Sequence, residues 1–254
     1  MSDESESKPA LPEKRKSGAP RRVCLLMGGE TGERGISIAS GIAVGEALLR
    51  LGNEVLFLDP ATGRRALRRP GESVAGVADG WLETPPRPEA MLDHLHEVAA
   101  TRPDLVAILL HGGAGEGGRI QAALELAGLA YTGSGPEASA LAMDKVAAKV
   151  FFRDARIPVP AEALWRPAGR AGSGWAPGPI PDVGPLGGYP VVVKPIAGGS
   201  TLGLTIVREP SLWPAAWEAA HGEIDPRRGL LVEQFIPGRE LTVGVLDDQR
   251  LPVV

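Results

Sequence analysis

The segment 190–203, PVVVKPIAGGSTLG, ends an apolar run on a lysine and follows it at once with a glycine-rich turn. In a strand, alternation puts Lys194 on the same face as Val192. A lysine there needs an anion or an escape to water. Gly198, Gly199, Ser200 and Thr201 come next and offer backbone N–H groups and two hydroxyls. Beside a lysine, such a turn can cradle phosphate; a plain hairpin with a snorkelling lysine is the alternative. The pattern G-x-x-x-x-G-K-[ST] is absent, which excludes a P-loop enzyme.

Three further segments carry candidate groups. In LLVEQFIPGRE (230–240), Glu233 lies on the strand face of Leu231 and Phe235. Its carboxylate must accept hydrogen bonds, from a purine amino group, a ribose hydroxyl or neighbouring backbone. Glu240, after a Pro-Gly turn, is a second such acid. In GGETGERGISIASG (28–41), Glu33 and Arg34 stand where a ligand would sit. A glutamate repels pyrophosphate and suits an amine; a solvated loop carboxylate is the alternative. In HGGAGEGGRIQ (111–121), Gly113, Gly115 and Gly118 fit the dinucleotide fingerprint G-x-G-x-x-G. That fingerprint wants an acid about 20 positions on. LAYTGSG holds none, which argues against NAD. His94, His96, His111 and His221 show no metal-binding spacing.

The elements that must position these groups follow from pattern. VCLLM, EVLFLDP and DLVAILL read as strands buried on both faces. Ser37 is expected to cap a helix carrying Ile38, Ile42, Leu48 and Leu49, stopped at Gly52. Helices are expected at 88–101, over Ile120–Ala127 and at 137–154, the last with Lys145 and Lys149 one turn apart. The arginine-rich stretch 64–69 reads as a surface loop. Strand, glycine turn, helix, repeated, gives a Rossmann-like parallel α/β sheet with ligands at the strands' carboxyl ends. Residues 167–188, with 5 Pro and 7 Gly, read as one long loop. YPVVVKP, LTIV, LLVEQF and ELTVGVL then read as an antiparallel sheet joined by short turns, an α+β second part.

Composition bounds the rest. The 254 residues hold 27 Lys+Arg against 31 Asp+Glu, a net charge of -4 that argues against nucleic acid or a membrane surface as partner. With 34 Gly and 24 Pro the chain is turn-rich, yet 43% hydrophobic content supports a core. The single Cys24 excludes an internal disulfide and a multi-cysteine zinc site, and a reducing, cytoplasmic setting is the simplest reading. Residues 1–21 are expected to be a disordered polar tail.

Taken in order, VCLLMGGETGERGISIASG, LLHGGAGEGGRIQAALELAGLAYTGSGPEASALAMDKVAAK, PVVVKPIAGGSTLG and LLVEQFIPGRELTVGVL resemble the D-alanine–D-alanine ligases of the ATP-grasp superfamily, over about 22–254. The resemblance implies a Rossmann-like substrate domain (22–132) and a central nucleotide-binding lobe (133–235). A larger lobe would begin at 236–254 and be incomplete at Val254. It implies that ATP phosphorylates one D-alanine carboxylate, that a second amine attacks the acyl phosphate, and that phosphate leaves, for peptidoglycan precursor synthesis. Lys145 and Lys194 would hold the phosphates, with Gly199, Ser200 and Thr201 closing over them. Glu233 and the backbone of Gln234, Phe235 and Ile236 would read adenine, and Glu240 the ribose. Glu33 would bind the first D-alanine's ammonium, hydrogen-bonded through Ser200, beside His111; Glu33 and Ser200 are the implied catalytic pair. The implied Mg²⁺ or Mn²⁺ takes ligands beyond Val254, so the chain by itself is expected to lack turnover.

The partners implied are D-alanine and ATP, and a homodimer fits the family. A non-catalytic ATP-grasp remnant and a related carboxylate–amine ligase stay open, as do D-lactate and D-serine as second substrate. Thr31 stands where members usually have serine, Gly35 where they have an acid and Gly117 where they have Asp, so two loop-bracing carboxylates are missing.

Overall fold

A computed structural model describes residues 19–171, 174–220, 229–246 and 249–253. Most of the tail (1–18, with Lys14, Arg15 and Lys16) and His221 lie outside the described residues. The chain divides into two compact units, Met1–Pro136 and Glu137–Val254.

The first unit runs β1 (Arg22–Leu26), α1 (Arg34–Arg50), β2 (Glu54–Leu58), β3 (Arg65–Arg68), α2 (Met91–Thr101), β4 (Leu105–Ile108), α3 (Gly113–Glu116) and α4 (Arg119–Leu126). Its sheet has the order β3-β2-β1-β4. β1 is parallel to both β2 and β4, and β3 is an antiparallel edge. The chain leaves β1 for one side and later returns on the other. The carboxyl ends of β1 and β4 therefore flank a topological switch point, where open α/β sheets hold ligands. Cores cover both faces: Cys24, Leu26 and Val106 belong to one, Leu25, Val55 and Phe57 to the other. Burial pushes the Cys24 thiol up to about 12, so it is packing and not a nucleophile.

Two expectations change here. Residues 65–68 are a strand and not a loop; Ala66 packs on the core while the arginines blunt the sheet edge. Ser37 is not a cap. Helix α1 starts three residues earlier, and the Ser37 hydroxyl instead accepts from Gly28 N–H (2.8 Å) and donates to Leu109 O (2.6 Å). The expected stop at Gly52 holds: its φ is +84° and its N–H donates to Leu49 O.

The second unit holds α5 (Pro136–Met143), α6 (Lys145–Asp154), β5 (Glu162–Trp165), β6 (Pro167–Ala171), β7 (Gly174–Pro177), β8 (Val191–Pro195), β9 (Thr205–Val207), α7 (Trp213–Ala220), β10 (Leu230–Gln234), β11 (Val243–Leu246) and β12 (Gln249–Val253). Its main sheet, β5-β10-β8-β9, is antiparallel. One face packs against α7, where Trp165 meets Trp213 and Trp217 edge-to-face at centroid separations of 5.0 and 5.1 Å.

Three expectations are corrected in this unit. The 167–188 span is not one loop: β6 and β7 pair, and Trp175 packs against the tryptophan core. The 137–154 helix is two helices, because Asp144 turns extended (φ −84°, ψ 98°) and its carboxylate caps α6 through Val146 and Ala147 N–H. The strands are not all joined by short turns: α7 lies between β9 and β10, and β11 pairs with β12 in a separate sheet.

Helix α1 sits close on its sheet because Gly45 has no side chain. A Cβ there would lie 2.2 Å from Phe57 Cε1. Gly45→Ala is expected to destabilise the first unit by about 1–3 kcal/mol despite alanine's better helix propensity. Thermal melts should show a Tm lowered by roughly 5–15 °C.

Candidate active site

In the second unit, alternation along β8 sends Val191 and Val193 into the tryptophan core and Val192 and Lys194 to the other face. On β10, Leu230 and Val232 join the same core and Glu233 faces away from it. Lys194 and Glu233 therefore share the face that α7 does not cover, and they form an ion pair. Lys149 comes from α6 and donates to the other Glu233 oxygen at 2.5 Å. Both carboxylate oxygens of Glu233 are thus taken by ammonium groups, and Glu233 is only 6% exposed. Burial pushes its carboxyl up. The two lysines outweigh that and hold it below its ordinary range.

Lys145 opens α6. Its backbone N–H donates to Ile196 O (3.0 Å) and its Nζ to Gly198 O (2.7 Å). A cation at a helix N-terminus opposes the macrodipole, so helix stability does not explain it. Burial first, then the Lys194 charge, lowers the Lys145 pKa; Glu233 and Asp144 offset this only in part. A group that would stay charged more easily near an anion is thereby held beside the glycine-rich turn.

That turn is tight. Leu202 N–H donates to Gly199 O (3.1 Å), and both central residues have positive φ, 51° at Ser200 and 62° at Thr201. A β-branched residue in the left-handed region is costly, and such strain gathers at functional sites. Ser200 and Thr201 are exposed. So the structure brings Lys145, Lys194, Glu233 and the 198–201 turn together at one place in this unit. Gln234 and Ile236 are exposed, Phe235 is half-buried, and Glu240 is exposed on the segment after β10.

In the first unit, the loops after β1 and β4 meet at the switch point. The Thr31 hydroxyl donates to His111 O (2.8 Å), and Glu30 accepts from Ala114 N–H (2.8 Å). The buried Glu33 carboxylate lies against Gly112, where a Cβ would be 3.0 Å from Oε2. Glu33 and His111 thus belong to neighbouring loops. Beneath them Asp59, fully buried, accepts from Gly29 and Ala61 N–H and from Arg34 Nε and Nη2. Arg34 also donates to the carbonyls of Thr84 and Trp81. A buried pair satisfied on every side fixes the loop that carries Glu33.

Comparison with known proteins decides the family. The model of the D-Ala–D-Ala ligase N-terminus matches residues 22–134, and that of the D-Ala–D-Ala ligase C-terminus matches 182–254. The chain belongs to the D-alanine–D-alanine ligase family. It is 37% identical to the D-alanine–D-alanine ligase of Gloeobacter violaceus and 38% identical to that of Paramagnetospirillum magneticum, over 92% of this chain. It spans 64% and 63% of the length of those two proteins. The fold is that of the solved D-alanine–D-alanine ligase of Bacillus anthracis complexed with ATP (TM-score 0.63, 23% identity, 92% of this chain and 65% of that one). The Helicobacter pylori enzyme matches similarly (TM-score 0.61, 23% identity, 91% and 69%).

Within this family's pattern, Thr31 supplies a loop hydroxyl as a serine would, and Glu30 ties the two loops where Gly35 and Gly117 lack carboxylates. Sequence reasoning passed over Glu162, Asp59 and the roles of Lys149 and Arg34. The spacing of Lys145, Lys149 and Arg153 at i, i+4 and i+8 was the readable signal of a basic stripe facing acids. Among the described residues, no three His, Cys, Asp or Glu side chains are grouped to hold a metal ion.

The lowered Glu233 pKa means its contribution to stability is full above the ordinary value of 4.5 and is lost as pH falls through the folded value below it. Melts between pH 3 and 6 should show Glu233→Gln removing part of the wild-type's loss of stability on the acid side.

Proposed function

We propose that this chain supplies the nucleotide cradle and the first-substrate anchor of an ATP-dependent D-alanine–D-alanine ligase. The observation that carries the reading is the meeting of Lys145, Lys194 and the strained 198–201 turn on one face of the second unit. Two ammonium groups and a turn of small residues are the groups a triphosphate needs. Phosphoryl transfer rests mostly on positioning and charge neutralisation. Lys145 and Lys194 hold phosphate oxygens, and Gly199, Ser200 and Thr201 close over them. The strand end at Gln234, Phe235 and Ile236 offers backbone groups to the adenine edge, and Glu240 takes the ribose. With Lys149 and Lys194 on its oxygens, Glu233 keeps its lone pairs as an acceptor for the adenine amino group.

Glu33 binds the ammonium of the first D-alanine, beside His111, and Ser200 is the second member of the proposed catalytic pair. The D-alanine carboxylate attacks the γ-phosphorus and ADP leaves; the second D-alanine's amine then attacks the acyl phosphate and phosphate leaves. Magnesium or manganese is the ion expected of such a ligase. No helix among the described residues is long and apolar enough to cross a membrane. We place that ligase in the cytoplasm, as a homodimer that serves peptidoglycan precursor synthesis.

Isothermal titration with ATP tests the reading. The chain should bind ATP, and Lys194→Ala should weaken binding by about ten-fold or more, the scale of one lost charge-assisted contact. Glu33→Gln should weaken D-alanine binding and leave ATP affinity unchanged. Binding of ATP indifferent to Lys194→Ala would contradict it.

A further inference from the structure

Lys149 is buried, 5% exposed, and the proposed chemistry gives it no task. The strand register explains why it is there. Glu162 on β5 stands directly opposite Glu233 on β10. Like charges directly opposed across an antiparallel pair are destabilising. Lys149 enters between them, with Nζ 2.5 Å from Glu162 Oε2 and 2.5 Å from Glu233 Oε1. Only the approach to Glu233 has hydrogen-bond geometry; Glu162 Oε2 has no aligned donor. Arg153 takes the other Glu162 oxygen at 2.6 Å, and Lys194 takes the other Glu233 oxygen.

Three cations therefore serve two carboxylates. The surplus charge resides on the more exposed ends of this chain of pairs. One is the Arg153 side chain, 44% exposed, and the other is Lys194, 23% exposed. Without Lys149, Lys194 is the one cation left in a direct ion pair with Glu233 among the described residues, and that pair is neutral.

We propose that Lys149 is a positioning residue of the nucleotide cradle: by sharing the Glu233 carboxylate with Lys194, it leaves Lys194 enough positive charge to hold a phosphate oxygen. This rests on the nucleotide-binding reading above. Among the described residues, Lys149 and Lys194 pair with Glu233, and Lys145 interacts with both Lys194 and Glu233. Glu162, itself paired with Arg153, stands opposite Glu233, and Asp144 acts on Lys145.

A double-mutant cycle on the full chain tests it, with K149M and E233Q alone and together. Two quantities are read: ATP affinity by calorimetry, and the rate at which acetic anhydride acylates Lys194, followed by mass spectrometry. K149M should weaken ATP about five-fold and slow Lys194 acylation by a similar factor, because Lys194 is drawn into an exclusive pair. K149R, which keeps the charge, should retain both. In the E233Q background K149M should change neither. Should K149M fail to fold, K149M/E162Q keeps the charge balance of the cluster and carries the same comparison. Losses that persist in the E233Q background, or a folded K149M with unaltered Lys194 acylation, overturn the proposal. A wild-type chain that ignores ATP sinks the nucleotide reading instead, while the acylation cycle still reports on Lys149.

Discussion

Glu233 is a buried carboxylate held between two lysines, and the second unit is arranged around that contact. Burying a lone carboxylate or a lone ammonium costs several kcal/mol, and a buried pair gives little of it back beyond what apolar residues of the same size would. The sheet face carrying Lys194 and Glu233 could have been filled with leucine and valine, as the face against α7 is. It holds a chain of alternating charges instead. Helix α6 extends the same pattern: its Lys145, Lys149 and Arg153 all turn to carbonyls or carboxylates of the sheet side. An arrangement this poor as a source of stability is what the proposed nucleotide site would require, cations held for an anionic ligand.

The first unit solves a related problem with other means. Its parallel sheet leaves two loops side by side where β1 and β4 end, and loops there must be kept rigid if they are to hold a substrate. Asp59 and Arg34 do this from below by satisfying the backbone of both the 28–34 loop and the 81–84 turn. Ser37 joins the ends of β1 and β4. Above them, Thr31 and Glu30 join loop to loop. The Glu30 carboxylate is committed to Ala114 N–H, and the buried Glu33 carboxylate lies against Gly112 on the neighbouring loop.

Much of this was readable in the chain, and the physics says why. Buried parallel strands are apolar throughout, so β1, β2 and β4 declare themselves; Lys194 and Glu233 stand out because they interrupt such runs. The MDK segment and the GGST turn could be read as a pair only through the ordered resemblance to the ligase family, which the matches over 22–134 and 182–254 bear out. What stayed hidden depends on partners distant in sequence. Glu162 looked like an unremarkable acid because its role is set by the register with β10. Ser37 looked like a helix cap because a cap and a strand staple use the same hydroxyl. The β6–β7 hairpin was masked by glycine and proline, and only the packing of Trp175 gives it a reason to form.

A shared triphosphate site requires that one ligand engage both Lys145 and Lys194 of the second unit. Reductive methylation of the chain with and without ATP, read residue by residue by mass spectrometry, measures this directly. Saturating ATP should protect Lys145 and Lys194 together and leave Lys16 unprotected. Protection of neither lysine, or of one without the other, would contradict a shared triphosphate site.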